Sequence, residues 1–306
     1  MKASPELLVK LPTGVRLCYQ TFGDASDPAV IFISGATGSM LEWREEMLAL
    51  FSPSDNPRYI IRFDHRDTGL STEFPVPAEY SLADMAGDVE GLADHLDLAS
   101  KGFHVVGVSM GGPIAYTVAA RRPQQVKSLM LLMTTPGVSE ELPLGDAAQS
   151  LGVGPPPMPG GLGNEREVYI NHALKLHKAL ATQPFDDEEW SNIEAQVAKV
   201  TDRDMKGGTL YSKGPNHGVA CYNWPGFETL KDVKCPTTVV QAAKDPFFGV
   251  VHGEALAKAV QGAQYVQWED VGHELPKRIW SQLAEASFQT WKRGEDSYSK
   301  DAEIKE

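Results

Sequence analysis

Short apolar runs alternate with longer stretches of mixed polarity along most of this chain. The short runs predict buried strands, and the longer stretches predict amphipathic helices. The predicted strands span residues 7–11, 15–22, 29–33, 58–63, 103–108, 126–133, 264–268 and a run that starts at 237. The helices predicted between them span residues 41–51, 81–96, 112–120 and 251–260. Because strands alternate with helices after an antiparallel first pair, the pattern predicts an α/β fold with a mostly parallel central sheet and helices on both faces.

The alternation is interrupted between about residue 136 and about residue 233. A loop rich in Gly and Pro at 152–161 is followed there by two predicted helices, 165–182 and 186–199. Because this segment leaves one strand's end and returns before the next strand, we expect it to lie above the carboxyl ends of the strands. We therefore predict a core of residues 1–136 and 231–293, a helical cap or lid insertion at 137–230, and a flexible tail at 294–306. The alternative is an insertion that only packs and touches no substrate.

The stretch Gly107-Val108-Ser109-Met110-Gly111 matches G-x-S-x-G, a sharp turn that presents a nucleophilic serine. A predicted strand precedes it and a predicted helix follows it, as this turn requires. Residues 107 and 111 must be small, because a Cβ atom there would clash as the backbone doubles back. Ser109 is therefore the predicted catalytic nucleophile. The alternative is a glycine-rich loop whose serine only caps a helix.

A serine nucleophile needs a base, and the base needs an orienting acid, in the chain order Ser, Asp or Glu, His. His273 is the only histidine after position 252, and it lies on a loop after a predicted strand. Asp245 ends the preceding strand, 28 residues earlier, so the two loops should be neighbours. The Asp245-Pro246 pair also fits a plain turn. His252, inside a predicted helix, is expected at the surface or at a helix-capping position.

The loop after the strand at 29–33 begins Ser34-Gly35-Ala36 and fits an oxyanion hole. Two backbone N–H groups must converge on the oxyanion that develops during acyl transfer. We assign one to Met110, directly after the nucleophile, and the other to Ala36. Gly35 lets the backbone approach closely.

Candidate pocket residues are mostly aromatic, although aromatic side chains fit a core equally well. They are Trp43, His217, Tyr222, Trp224 and Phe247. His217 fits a turn as well as a substrate contact. Asp64 and Arg66 are expected to pair with each other and to fix their loop, and His104 is expected to be a hydrogen-bonded core residue.

Composition and charge narrow the classes of function. The chain has 306 residues and a net charge of −13, from 28 basic and 41 acidic residues, which argues against a nucleic-acid partner and an anionic membrane surface. No apolar run approaches the roughly 18 residues of a membrane span, and residues 1–6 lack the apolar core of a signal peptide. Three cysteines without a CxxC pair predict free thiols in a reducing, cytoplasmic compartment.

The sequence predicts neither a metal nor another cofactor. His273-Glu274 begins like a zincin motif, but the position where the second histidine would follow is Lys277. The expected partner is a small-molecule substrate, with neither nucleic acid nor membrane, and the protein is expected to be a monomer or a homodimer.

Taken together, these motifs resemble those of the α/β-hydrolase fold superfamily, and within it the aclacinomycin methylesterase-like serine hydrolases. The resemblance spans nearly the whole chain and is weakest in the insertion. It implies the α/β-hydrolase fold and the hydrolysis of carboxylic esters or related acyl bonds, often on secondary metabolites. Many relatives carry His-Gly ahead of the oxyanion residue, whereas this chain has Ser34-Gly35. The matching stretches are Ser34-Gly35-Ala36 with Trp43 downstream, Asp64-His65-Arg66-Asp67-Thr68-Gly69-Leu70-Ser71, Gly107-Val108-Ser109-Met110-Gly111-Gly112, Asp245-Pro246 and Gly272-His273-Glu274-Leu275-Pro276.

Three functions stay open at this point. The first is a serine esterase that works through a Ser-His-Asp triad and an acyl-enzyme. The second is a lyase or cyclase that uses the same groups on a bulky metabolite, and the third is a ligand receptor that retains the triad. Epoxide and haloalkane hydrolases are excluded because they need a carboxylate nucleophile where this chain has Ser109.

Overall fold

A single central sheet carries the fold in the computed structural model, which describes residues 1–145 and 164–303. Within these residues the sheet has eight strands in the order β1-β2-β4-β3-β5-β6-β7-β8. β1 pairs antiparallel with β2, and β2 with β4, whereas all other neighbours are parallel. The predicted α/β class, the mostly parallel sheet and the antiparallel first pair are therefore confirmed. The strands are β1 Leu7–Lys10, β2 Arg16–Phe22, β3 Ala29–Ile33, β4 Tyr59–Phe63, β5 Phe103–Val108, β6 Val126–Leu132, β7 Thr237–Ala242 and β8 Gln264–Trp268.

Nine α-helices lie within the described residues. They are α1 Glu45–Leu50, α2 Leu82–His95, α3 Gly111–Arg121, α4 Glu165–Leu180, α5 Asp187–Gly207, α6 Lys213–Ala220, α7 Gly226–Leu230, α8 Val250–Ala259 and α9 Trp280–Glu303. Short 3₁₀ helices at Met40–Glu42 and Lys277–Ile279 precede α1 and α9. The predicted start of α2 is confirmed by a capping box, in which Ser81 and Asp84 each accept from the other's backbone N–H. The loop predicted at 152–161 lies outside the described residues.

Both faces of the sheet are covered by helices, because its central strands are apolar on both sides. In β3, Ile31 and Ile33 face one core cluster with residues of α2, α3 and α8, while Val30 and Phe32 face the other with residues of α1 and α9. All four side chains are completely buried. A continuous apolar run is what a doubly covered parallel strand requires.

The insertion joins β6 to β7 and contains helices α4 to α7. Its helix α5 is longer than the predicted 186–199, because Gly208, with φ of 82°, supplies the left-handed residue that closes it. The added turns carry buried Arg203 and Asp204 against the core. Arg203 donates to Asp64, and Asp204 accepts from the backbone N–H of Gly69, both at 2.7 Å.

The expectation that Asp64 pairs with Arg66 is wrong. Asp64 is bound by Arg203 of the insertion, and Arg66 donates to Asp88 of α2 at 2.5 Å. Asp64 also accepts from the hydroxyl of Ser39 and the backbone N–H of Met40, both at 3.0 Å. The loop is thus fixed by partners distant in sequence, which local spacing does not reveal.

The chain's last described stretch corrects the expectation of a flexible tail from residue 294. Helix α9 continues to Glu303, and Glu295 lies 2.5 Å from Arg58 in a half-buried ion pair. Gly294 packs closely on the backbone of Lys127, where a Cβ atom would lie 2.8 Å from Ser128. No helix among the described residues is long and apolar enough to cross a membrane.

Candidate active site

Five loops meet at the carboxyl edge of the sheet, because β3, β5, β6, β7 and β8 are consecutive neighbours and run parallel. Each loop delivers one element of the candidate site. In sheet order they carry the Gly35 loop, Ser109, Thr134, Asp245 and His273. Residues spread over most of the sequence are therefore brought to one edge by topology alone.

The turn at Ser109 has the strained geometry that its glycines allow. Ser109 has φ of 53°, in the left-handed region that side chains rarely adopt. A Cβ atom on Gly107 would run into the backbone carbonyl of Gly111 and lie 2.8 Å from the side chain of Ala115. A Cβ atom on Gly111 would lie 2.5 Å from the carbonyl oxygen of Ile33. A side chain at either position would thus clash, as expected from the sequence, and the two glycines allow the turn between β5 and α3 that carries the serine.

Thr134 holds this turn from the neighbouring strand, and sequence reasoning missed it. Its hydroxyl donates to the carbonyl oxygen of Ser109 at 2.7 Å, and the backbone N–H of Gly112 donates to the same oxygen at 2.9 Å. The backbone N–H of Ser109 in turn donates to Leu132. Thr134 follows β6 at the carboxyl edge of the sheet, and that position was the available signal.

The structure brings Ser109, His273 and Asp245 into one chain of hydrogen bonds. His273 Nε2 lies 2.9 Å from Ser109 Oγ, and His273 Nδ1 lies 2.8 Å from Asp245 Oδ2. The Asp245 side chain is fully buried, while that of His273 is 11% exposed. In the tautomer with its proton on Nδ1, His273 donates to the carboxylate and turns the Nε2 lone pair toward the serine hydroxyl. The catalytic role of these residues stays a prediction.

Asp245 is fixed in place by the turn that follows it. Its Oδ1 accepts from the backbone N–H groups of Phe247 at 2.8 Å and Phe248 at 3.0 Å. Its Oδ2 is left for His273, with a long contact of 3.4 Å from Gln241. The Asp-Pro turn offered as an alternative is therefore present together with the histidine contact.

The loop after β3 lies beside the serine, as an oxyanion hole requires. A Cβ atom on Gly35 would lie 3.1 Å from Ser109 Cβ, so the backbone approaches closely there. In the described part of the chain, no hydrogen bond occupies the backbone N–H of Ala36 or of Met110. Both N–H groups are thus free to bind a ligand atom. Their convergence on an oxyanion stays a prediction.

Three of the five candidate pocket residues lie elsewhere. Trp43 is buried in the core against Phe32, with ring centroids 4.9 Å apart, and Tyr222 is 83% exposed at the surface. His217 lies in helix α6, fully buried, with both ring nitrogens bonded to backbone groups. These positions give no support to their assignment to a substrate pocket, which stays a prediction. Aromatic or polar character alone did not separate core, surface and pocket.

The other two candidates lie on the histidine side of the site. The ring of Phe247 meets that of His273 edge-on at 5.0 Å. Trp224 is half-buried and packs edge-on against Phe248, whose ring lies 5.8 Å from His273. Phe247 and Trp224 remain candidates for the pocket wall.

The insertion also contacts the loop that carries His273. The backbone N–H of His273 donates to the carbonyl of Leu180, at the end of α4, at 3.1 Å. Next to it, Glu274 accepts from the backbone N–H of Thr182 at 3.2 Å and from Arg278 at 2.8 Å. The position of His273 thus depends on contacts with the insertion.

Two further histidines are buried, one against expectation and one as expected. His252 is fully buried, not at the surface, and lies 2.7 Å from the Thr135 hydroxyl and 3.0 Å from the carbonyl of Pro143. His104 is a hydrogen-bonded core residue, as expected, 2.7 Å from Ser128 Oγ. Burial lowers the pKa of His104 to about 4, so it stays neutral.

Metal ligands are not gathered anywhere in residues 1–145 and 164–303, where no group of three His, Cys, Asp or Glu side chains could hold an ion. All three cysteines are free thiols.

Comparison with known proteins gives concordant matches. A family model described as the alpha/beta hydrolase fold matches residues 28–276. Rhodomycin D methylesterase DauP from Streptomyces sp. (strain C5) is 24% identical over 292 residues, covering 89% of this chain and 93% of that protein. An esterase (EaEST) from Exiguobacterium antarcticum matches with a TM-score of 0.70 at 16% identity, covering 94% of this chain and 100% of that one. The enol-lactonase from Burkholderia xenovorans LB400 matches with a TM-score of 0.68 at 19% identity and the same coverage.

Proposed function

Because the chain belongs to the α/β-hydrolase fold family, we propose that it is a serine hydrolase that cleaves a carboxylic ester through an acyl-enzyme. Ser109 is the nucleophile, His273 the general base and acid, and Asp245 the orienting acid. The observation that carries this proposal is the unbroken hydrogen-bond chain from Asp245 Oδ2 to Ser109 Oγ through both nitrogens of His273.

The reaction follows from that geometry in two halves. Ser109 Oγ attacks the ester carbonyl carbon while His273 Nε2 takes the hydroxyl proton. The oxyanion that forms accepts hydrogen bonds from the backbone N–H groups of Ala36 and Met110. As the tetrahedral intermediate collapses, His273 gives its proton to the leaving alcohol and the acyl group stays on Ser109. Water then attacks the acyl-enzyme with His273 again as base, which releases the acid and restores the serine.

The substrate we propose is an ester of a small-molecule secondary metabolite. The support is the likeness to rhodomycin D methylesterase, which extends over 89% of this chain. We propose further that residues 137–230 form a cap that shapes the pocket, because α4 and α6 touch the loops around His273 and Ala36. The partner is then a small molecule, and no cofactor takes part.

A covalent probe tests the nucleophile. A fluorophosphonate should label wild-type protein on Ser109, as mapped by peptide mass spectrometry, and Ser109→Ala should abolish the label. The same variant should lower kcat on p-nitrophenyl acetate by about 10⁴-fold or more, because the other triad members cannot act alone. A folded wild-type protein that stays unlabelled would refute nucleophilic catalysis.

The same assay separates the two alternatives. Steady release of p-nitrophenol supports the hydrolase, and a single burst supports a receptor that retains the triad. Labelling without any turnover of the ester would favour lyase or cyclase chemistry.

A further inference from the structure

The loop with Ala36 is held from two sides by buried histidines. His65 lies beside it in the core, and its Nε2 is 3.0 Å from the carbonyl oxygen of Ser34. His217 reaches it from helix α6 of the insertion, where its Nδ1 accepts from the backbone N–H of Thr37 at 2.9 Å. Thr37 directly follows Ala36 and has φ of 62°, a left-handed conformation that is unfavourable for threonine. An unfavourable conformation persists only when its surroundings hold it.

The hydrogen bonds of His217 fix its protonation state. A backbone N–H can only donate, so Nδ1 must carry the lone pair that accepts from Thr37. The proton is therefore on Nε2, which donates to the carbonyl oxygen of Arg66 at 2.9 Å. His217 is completely buried, and burial lowers its pKa to about 3, with a further lowering from nearby His65. One neutral tautomer satisfies both contacts.

The chemistry of the loop explains why such a support matters. Oxyanion donors act only when their N–H groups point at the position of the developing charge, and a displacement of about 1 Å can cost about 100-fold in rate. The chain has Ser34-Gly35 ahead of Ala36, and the side chain of Ser34 makes only a long contact of 3.4 Å to its own loop at Ser39. On either side of Ala36, the loop is thus held at Ser34 and Thr37 by groups that bind its backbone.

We propose that His217 is a positioning residue for catalysis: it holds Thr37, and through it the backbone N–H of Ala36, in the orientation that binds the oxyanion. The proposal rests on the proposed serine hydrolase function. It gives the insertion a second role beside shaping the pocket, because His217 belongs to α6 and not to the hydrolase core.

Side-chain geometry offers a matched set of variants. Asparagine places its amide oxygen near the position of Nδ1, so His217→Asn keeps an acceptor for Thr37. Glutamine places its amide near Nε2, so His217→Gln keeps a donor to Arg66 but loses that acceptor. His217→Leu loses both contacts at a similar volume. All four proteins should be compared for melting temperature, for kcat and KM on p-nitrophenyl acetate, and for the fluorophosphonate inactivation rate.

We expect kcat to fall about 10- to 100-fold in the Leu and Gln variants with little change in KM, because the oxyanion forms after substrate binds. Inactivation by fluorophosphonate should slow in parallel, since its phosphoryl oxygen uses the same donors. The Asn variant should recover most of the lost kcat. Equal kcat in all folded variants would overturn the proposal, as would equal losses in Asn and Gln that follow melting temperature, or a change confined to KM.

Two further readouts keep the test decisive. If the wild-type protein itself is not labelled, the proposed function fails, and that result is distinct from unchanged kinetics in the variants. If the variants do not fold, wild-type protein with ¹⁵N-labelled histidine gives the answer by NMR. His217 should then show an unprotonated, hydrogen-bonded Nδ1 and a protonated Nε2 at neutral pH. The opposite tautomer or an imidazolium would refute the proposal.

Discussion

The acid of the proposed triad gives the sharpest prediction, because its surroundings dictate how an amide must sit there. In Asp245→Asn, the amide has one oxygen and one NH₂ group to place. The site offers two backbone donors, from Phe247 and Phe248, on one side and His273 Nδ1 on the other. The oxygen must therefore accept from the two backbone N–H groups, and the NH₂ group must face the histidine.

That orientation forces His273 into the unproductive tautomer. Nδ1 of His273 must then accept, so the ring proton moves to Nε2, where it faces Ser109 and blocks proton transfer. Turning the amide over would set its NH₂ against two buried N–H donors, at a cost of about 1–3 kcal/mol each. The productive tautomer is thus disfavoured by roughly 2–6 kcal/mol, or about 30-fold to 10⁴-fold. We expect kcat to fall toward the upper end, by about 10³- to 10⁴-fold.

The assay is steady-state hydrolysis of p-nitrophenyl acetate, with circular dichroism to verify the fold. Asp270→Asn is the matched control, since it removes an acid just before His273 that is exposed and forms an ion pair with surface Lys244. This control should change kcat by less than about twofold, because exposed ion pairs contribute little. A folded Asp245→Asn protein with kcat within about tenfold of wild type would mean that another group orients His273.

Two further predictions concern the core and the insertion. The pKa of buried His104 is lowered to about 4, so its contribution to stability is present above about pH 6.5 and is lost as pH falls toward 4, when the unfolded state binds the proton. Between about pH 7 and pH 5 the free energy of unfolding should fall by about 2 kcal/mol for this reason. In His104→Asn, which can keep the bond to Ser128, urea unfolding should show a pH dependence that is smaller by the same amount. An unchanged pH dependence in that variant would contradict the prediction. In the insertion, Trp224→Ala should change the ranking of p-nitrophenyl esters by acyl length, whereas Tyr222→Ala, at an 83% exposed position, should leave the ranking unchanged. Equal effects of both variants would make the wall around Trp224 a packing element.

The parts of the fold that sequence predicted well are those set by local patterns. The strand runs, the Ser81 cap and the glycines around Ser109 each encode their own geometry, because burial, capping and steric clash act within a few residues. The order of Ser109, Asp245 and His273 along the chain also anticipated the loops that meet. The general fold and the meeting of these three residues could therefore be predicted from local sequence patterns together with the strand order of a parallel sheet.

The errors at Asp64, Gly294 and His217 share a different cause, since each concerns a partner distant in sequence. Asp64 binds Arg203 rather than Arg66, and Gly294 sits on the backbone of Lys127, so a polar segment became a packed helix. His217 reads as a turn residue, yet α6 buries it against Thr37. Nothing in the local pattern encodes which loop an inserted helix will touch, so tertiary contacts decided these positions.

The order of strands in the sheet has a consequence for how the contact between Ser109 and His273 would be lost. Ser109 directly follows central β5, but His273 follows β8, which is last in the described sheet and pairs with β7. β8 is also the least buried of the parallel strands, since Trp268 is its one buried residue. An edge strand opens at a lower free energy than the core. Fraying there would withdraw His273 from Ser109 while the rest of the sheet is still intact, and under the proposed function it would stop catalysis.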